Sequence, residues 1–366
     1  MNVVTLTVVM NNVCPKDELL ILGLMSGTSL DGLDVAYCRF RSPRHCELLA
    51  AYTFPYPEEW RQRLASLDKA SAYEYAMANV ELGHYMGQRV NEFRSMHLGH
   101  VDYVASHGHT VFHQPHLGLT TQIGDGDALA AETQLPVVFN FRTLDVALGG
   151  QGAPLVPIGD ELLFADYEAC LNLGGIGNIS FTEGGCRKAF DIVPCNMVLN
   201  YLAGLKGLSY DCDGTLAAAG SINVTLLDKM NRLEYYSQPA PKSLGKEWFL
   251  AHFLPLLQGG ECVENLLRTV VEHVAMQVAA VVKKHGIGTM VVTGGGALNG
   301  FLVERIRHHA QGCSVTVPNK EMVEYKEAVI FALLGYLRVT VQVNTLASVT
   351  GARCDSVGGC LSGLLI

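Results

Sequence analysis

The run Gly23-Leu24-Met25-Ser26-Gly27-Thr28-Ser29-Leu30-Asp31-Gly32-Leu33-Asp34 gathers hydroxyls, glycines and two carboxylates between apolar stretches, Leu19–Leu24 and Leu33–Phe40. Two apolar stretches joined by Gly, Ser and Thr predict a β-hairpin. Glycines at its tip let the backbone approach a ligand closely, and successive N–H groups can form a nest for anionic oxygens. Ser26, Thr28 and Ser29 add hydroxyl donors, and Asp31 adds a carboxylate able to order Mg²⁺ through water. This set can hold a phosphate chain without a Walker sequence. Alone, it would read equally well as a glycine-rich hairpin with no ligand.

Two later segments supply matching parts. Cys170–Phe181 repeats the strand, glycine turn, strand pattern around Gly174, Gly175 and Gly177. Thr289–Gly300 is a buried strand entering a Gly294-Gly295-Gly296 turn, followed by Asn299 and a helix. Two such hairpins followed by a strand–glycine–helix unit resemble the superfamily of acetate kinase, sugar kinases, Hsp70 and actin. That resemblance implies an α/β protein of two lobes, with duplicated mixed-sheet domains facing an interlobe cleft. It places ATP phosphates on Ser26, Gly27, Thr28, Ser29, Leu30, Asp31, Gly32, Leu33, Asp34, Gly174, Gly175 and Gly177. The adenosine falls to Gly294, Gly295, Gly296 and Asn299.

Further motifs narrow the match. Met25–Gly32, His107-Gly108 with His113, Gln122–Asp125, Phe141-Arg142, Gly149–Pro157, Pro194 with Asn196-Met197, Tyr210–Gly214, Pro241–Gly245 and Ser348–Ala352 follow one another in family order. Over residues 20 to 366 the chain resembles the anhydro-N-acetylmuramic acid kinase family. The implied reaction transfers the γ-phosphoryl group of ATP to O6 of 1,6-anhydro-N-acetylmuramic acid while water opens the anhydro ring at C1. The product is N-acetylmuramic acid 6-phosphate, a step of cell-wall recycling and amino-sugar catabolism. The logic is that of an inverting glycosidase in which the phosphoryl group replaces the acid on the leaving oxygen.

By this resemblance Asp191 is the base that deprotonates the water; taken alone, an Asp near a proline turn is more often a cap. Ile192 and Val193 depart from the Thr-Gly that commonly follows in the family, and Val193 cannot easily adopt a positive φ. His107, Arg142, Gln151, Asn196 and Glu327 are the implied sugar contacts. Arg142 suits the lactyl carboxylate, being a bidentate partner for it, although an interlobe salt bridge would use the same residue. Glu321, Glu324 and Glu327 share i, i+3 spacing and would also suit a solvated face. His107, His109 and His113 have metal-ligand spacing, but no Cys or carboxylate pattern accompanies them, so no metal centre is expected there.

These residues need elements to carry them. The sequence predicts helices over 57–70 and 72–96, a strand over 101–106 ending at His107, and a short strand 188–190 before Asp191. It predicts a long amphipathic helix over 265–285 capped by Gly286, and a strand over 289–293. Residues 1–17 form an N-terminal extension, 18–139 a first lobe and 140–366 a second, with 345–366 able to pack back on the first. A chain of 366 residues suits two cores. Net charge −9 argues against a nucleic-acid partner. Eleven cysteines without a C-x-x-C pair suit reduced thiols in a cytoplasm. The apolar stretch Val3–Met10 is too short for a membrane span and lacks the basic flank of a signal peptide. By the resemblance, ATP, Mg²⁺ and a small sugar are the expected partners, with a homodimer left open.

Overall fold

The computed structural model describes residues 18–27, 29–97, 99–240 and 242–363. The N-terminal extension, Thr28 and Pro241 thus lie outside the described residues. Strand β1 (Leu19–Ser26) pairs antiparallel with β2 (Gly32–Ser42), from Leu19 opposite Phe40 to Ser26 opposite Leu33. The nearly continuous apolar sequence of β1 follows from cover on both faces. Leu22 and Leu24 pack in one core and Ile21 in another, while β2 alternates Leu33, Val35 and Tyr37 with Ala36, Cys38 and Phe40.

β3 (His45–Pro55) continues the sheet beyond β2, and β4 (Tyr103–Gln114) runs parallel to β1 on its other side. Between them lie α1 (Glu58–Ser66) and α2 (Ala72–Met96). A 3₁₀ turn over Leu67–Lys69 breaks the single helix expected for 57–70, and Ser71 and Glu74 close a capping box at the start of α2. Nor does β4 stop at His107. Gly108 takes a φ of +74° and the strand goes on to pair with β5 (Leu119–Ile123). β6 (Val137–Phe139) lies parallel to β4.

The second sheet repeats the first. After α3 (Val156–Leu163), β7 (Ala169–Leu173) turns back into antiparallel β8 (Ile176–Glu183), which pairs with β9 (Cys186–Pro194). Helix α4 (Asn196–Gly204) follows. The long helix α5 (Val263–His285) begins two residues earlier than expected and ends on Gly286 at φ +64°. β10 (Thr289–Thr293) then runs parallel to β7, as β4 does to β1. One face of α5 buries Leu267, Val270, Val271, Val274 and Val278 in the core of this sheet. After α6 (Gly300–His309), β11 (Ser314–Thr316) forms the edge beside β10. The duplicated α/β architecture with two mixed sheets is present as expected.

The chain then returns. α7 (Lys320–Val339) covers the first sheet through Ala328, Val329, Ala332 and Leu333. Its approach to β1 is close enough that a Cβ on Gly23 would meet the helix backbone. β12 (Cys360–Ser362) finally adds antiparallel to β6. Among the described residues, no helix is long and apolar enough to cross a membrane.

Candidate active site

At the tip of the first hairpin, the side chains of two expected phosphate contacts are engaged within the fold. The Ser26 hydroxyl is buried, accepts from Tyr56 Oη at 2.8 Å and pairs with His109 Nδ1 at 3.0 Å. The Leu33 side chain is core. Leu30 holds a left-handed φ of +61° and its N–H reaches Gly27 O at 3.3 Å, which closes the turn. The backbone of the tip, Ser29 and the exposed Asp31 remain available around a cavity of about 370 Å³ that Asp34, Thr53 and Glu327 also line. Thr53 Oγ1 donates to Asp34 at 2.6 Å. Burial, opposed by that hydroxyl and aided by Glu327, Asp31 and Glu324, pushes the Asp34 carboxyl up to about 6.

The second loop and the third glycine turn touch each other. Gly175 O accepts from Cys195 N at 2.9 Å and Met197 N at 3.0 Å, so the loop caps α4. A Cβ on Gly296 would meet Leu173 and Asn196, so only glycine admits this approach. Asn196, expected on the sugar, sits at this joint and donates from Nδ2 to Leu173 O at 3.0 Å. The Asn299 carboxamide accepts from Leu302 N at 2.9 Å as the N-cap of α6. Asp213 accepts from Gly300 N at 2.8 Å, which ties the Tyr210–Gly214 segment to the same turn. Behind it, Lys326 Nζ donates to Thr293 Oγ1 at 3.0 Å and pairs with Asp160 at 2.6 Å, both partners buried.

Asp191 lies inside β9, not beyond a shorter strand. Asn178 is opposite Asp191 and Gly177 opposite Val193, so Ile192 is the extra residue of a β-bulge. Ile192 and Val193 both join the core at negative φ. Asp191 Oδ2 accepts from Leu244 N at 2.8 Å, its N–H donates to Lys242 O at 3.1 Å, and its carbonyl accepts from Tyr235 Oη at 2.7 Å. Oδ1 makes no hydrogen bond among the described residues. Burial raises the Asp191 carboxyl, and the Leu244 N–H opposes that rise.

Arg142 Nε donates to His107 Nε2 at 3.0 Å and Nη1 donates to Gly152 O at 2.7 Å. Burial lowers the guanidinium to about 10, with Glu327 opposing. His107 is itself only 4% exposed, which places it behind Arg142 rather than on the open cleft wall. Burial and the Arg142 charge hold the imidazole well below its usual range. Because neutral Nε2 accepts from Arg142, Nδ1 carries the proton and donates to Gly108 O at 3.0 Å. His109 pairs with Ser26 and His113 with Thr120, so the three histidines serve three different partners. Gln151 is exposed, and its N–H donates to Thr350 O at 2.8 Å. Residues 348–352 thereby hold the Gly149–Pro157 loop.

Residues 19–362 match the family model described as anhydro-N-acetylmuramic acid kinase. The chain belongs to that family. The anhydro-N-acetylmuramic acid kinase of Vibrio parahaemolyticus is 36% identical over 361 residues, 93% of this chain and 97% of that protein. That of Sulfurovum is 33% identical over 353 residues, 92% and 97%, and that of Shewanella amazonensis is 35% identical over 360 residues, 93% and 97%. The family match thus spans both hairpins, Asp191, Arg142 and the returning strand β12. Three residues at this family's candidate site carried no local signal: Thr53, Tyr235 and Lys326 each reach their partner from far along the chain. Leu244 lies in the Pro241–Gly245 motif, to which the sequence alone gave no role.

Proposed function

We propose that this kinase binds ATP on the two hairpin tips and the Gly294–Gly296 turn, and binds 1,6-anhydro-N-acetylmuramic acid between Asp191 and Arg142. Water attacks C1 and gives its proton to Asp191. The C1–O6 bond breaks, and O6 takes the γ-phosphoryl group as ADP leaves. The products are N-acetylmuramic acid 6-phosphate and ADP, in the cytoplasm, as part of cell-wall recycling. Arg142, fixed by His107 and Gly152, presents its remaining N–H groups to the lactyl carboxylate. Glu327 accepts a sugar hydroxyl. His107 acts through Arg142.

The carrying observation is Asp191 itself: one carboxylate oxygen is held by a backbone N–H and the other has no partner among the described residues. Support for Mg²⁺ comes from donor chemistry. The exposed Asp31 carboxylate lines the cavity at the hairpin tip and offers a hard oxygen donor of the kind Mg²⁺ takes. Bound through Asp31 and water, the ion would neutralise phosphate charge.

The test is sugar-dependent ADP release in ¹⁸O-labelled water. Label should enter C1 of the product, with N-acetylmuramic acid itself a poor substrate. Asp191→Asn should keep ATP and sugar binding while slowing turnover about 10²–10⁴-fold. Label in phosphate would mean simple ATP hydrolysis and would refute this reading.

A further inference from the structure

The segment Tyr235–Leu244 has no chemistry of its own in the reading above, yet every polar contact Asp191 makes outside the β8–β9 ladder comes from it. Leu244 N–H donates to Oδ2, Lys242 O accepts the Asp191 N–H, and Tyr235 Oη donates to the Asp191 carbonyl. The segment is also fastened to itself. Lys242 Nζ donates to Tyr235 O at 3.0 Å and lies 4.5 Å from the Tyr235 ring centroid. The Tyr235 ring packs against Trp248, and Leu244 is buried. One loop thus bonds the N–H, the carbonyl and the carboxylate of a single residue.

We propose that Tyr235, Lys242 and Leu244 form a positioning clamp on Asp191 that reserves Oδ1 as the oxygen receiving the proton of the attacking water. The proposal rests on Asp191 being the base. With one lone pair of Oδ2 engaged by a backbone N–H, the unengaged Oδ1 is the more basic oxygen and takes the water's proton, as the water oxygen bonds to C1 and the C1–O6 pair passes to the phosphorylated oxygen. The clamp also favours the charged carboxylate, because a backbone N–H donates to the anion. The titratable groups of the clamp are Tyr235 and Lys242, with Lys284 acting on Lys242 from α5. Asn178, opposite on β8, does not titrate. Among the other charged groups on elements packed against β9, Asp160 is engaged by Ser180 and Lys326, and His285 by Glu183.

The experiment is the pH dependence of kcat for Leu244→Pro, which removes the N–H, and Tyr235→Phe, which loosens the clamp while keeping the ring. Wild type should lose activity as pH falls through the Asp191 titration. Losing the N–H removes the opposition to burial, so the acid limb should move to higher pH by about one unit in Leu244→Pro. Tyr235→Phe should move it the same way by less, with a kcat loss of about tenfold and the sugar KM nearly unchanged. A lower kcat with an unmoved acid limb in a folded Tyr235→Phe would overturn the clamp, even if Leu244→Pro fails to fold. Asp191→Asn separates the two readings. If the acid limb survives in that variant, Asp191 is not the base. If the limb vanishes there but is unmoved in Tyr235→Phe, only the clamp is refuted.

Discussion

Replacing Gly23 by alanine tests whether the close seating of α7 on β1 holds the first hairpin against Glu327. A methyl at Gly23 would lie 2.8 Å from Ala332 N and 2.9 Å from Ala328 C, with Ala328 O nearer still. These are backbone atoms of a buried helix, so no rotamer change relieves the contact. Ordinary carbon contacts begin near 3.4 Å, so strand and helix must part along the seam formed by Ile21, Val329, Ala332 and Leu333. Overpacking of a tight core costs about 1–3 kcal/mol, and backbone on both sides of the contact puts this case near 3 kcal/mol. The same displacement carries Glu327 away from Gly27–Asp34, so the sugar KM should rise several-fold. Urea unfolding followed through Trp60 in a Trp248→Phe background reads the first sheet from its other face, because Trp60 packs on the Leu22 and Leu24 side and Trp248 against the core of the second sheet. A stability loss below about 0.5 kcal/mol with an unchanged KM would refute the reasoning.

Arg142→Ala should erase most of the preference for the lactyl-bearing sugar over its des-lactyl analogue, a difference of about 1.5–3 kcal/mol read as a ratio of kcat/KM. Equal discrimination in the variant would put the carboxylate elsewhere. Asp34, held up at about 6 against 3.8 for the free residue, keeps its proton in the fold where the unfolded chain has lost it. Its stabilising contribution is therefore fully present below about pH 4 and lost as pH rises through about 6. Asp34→Asn should flatten that fall in urea midpoints measured from pH 4 to 7. Lys326→Met leaves the buried Asp160 without its cation and should cost about 3–5 kcal/mol. The double variant with Asp160→Leu should recover most of the loss.

Local patterns carried much of the fold. The Leu19–Phe40 hairpin, the α5 stripe with its Gly286 cap and the β10 boundaries all follow from periodicity and end signals within one element. Failures occurred where a local signal has two physical uses. Gly108 reads as a strand end but sits at an irregularity inside β4, where the pairing with β1 steps from Ser106 to His109. Asp191 reads as a post-strand residue because the bulge at Ile192 interrupts the period-two pattern. At the candidate site, residue types were legible but not orientation. Burial decides that His107 stands behind Arg142, and burial comes from Phe331 on a helix far along the chain. The Pro241–Gly245 motif was legible but its role in the clamp was not, since the bonds to Asp191 span 44 and 53 residues.

Lys326 and Glu327 are neighbours on α7. One is bonded to Thr293, the last residue before the Gly294–Gly296 turn, and the other lines the cavity at the first hairpin. A single helical turn thus carries both a tie to the nucleotide turn, through Lys326, and Glu327, the proposed acceptor for the sugar. Such an arrangement makes the two occupancies thermodynamically linked whenever either one moves the helix. Linkage is reciprocal: any factor by which nucleotide tightens sugar is the factor by which sugar tightens nucleotide. Binding isotherms for each ligand, taken with and without the other, must then close a single cycle. Lys326→Met should shrink its coupling energy without removing either site.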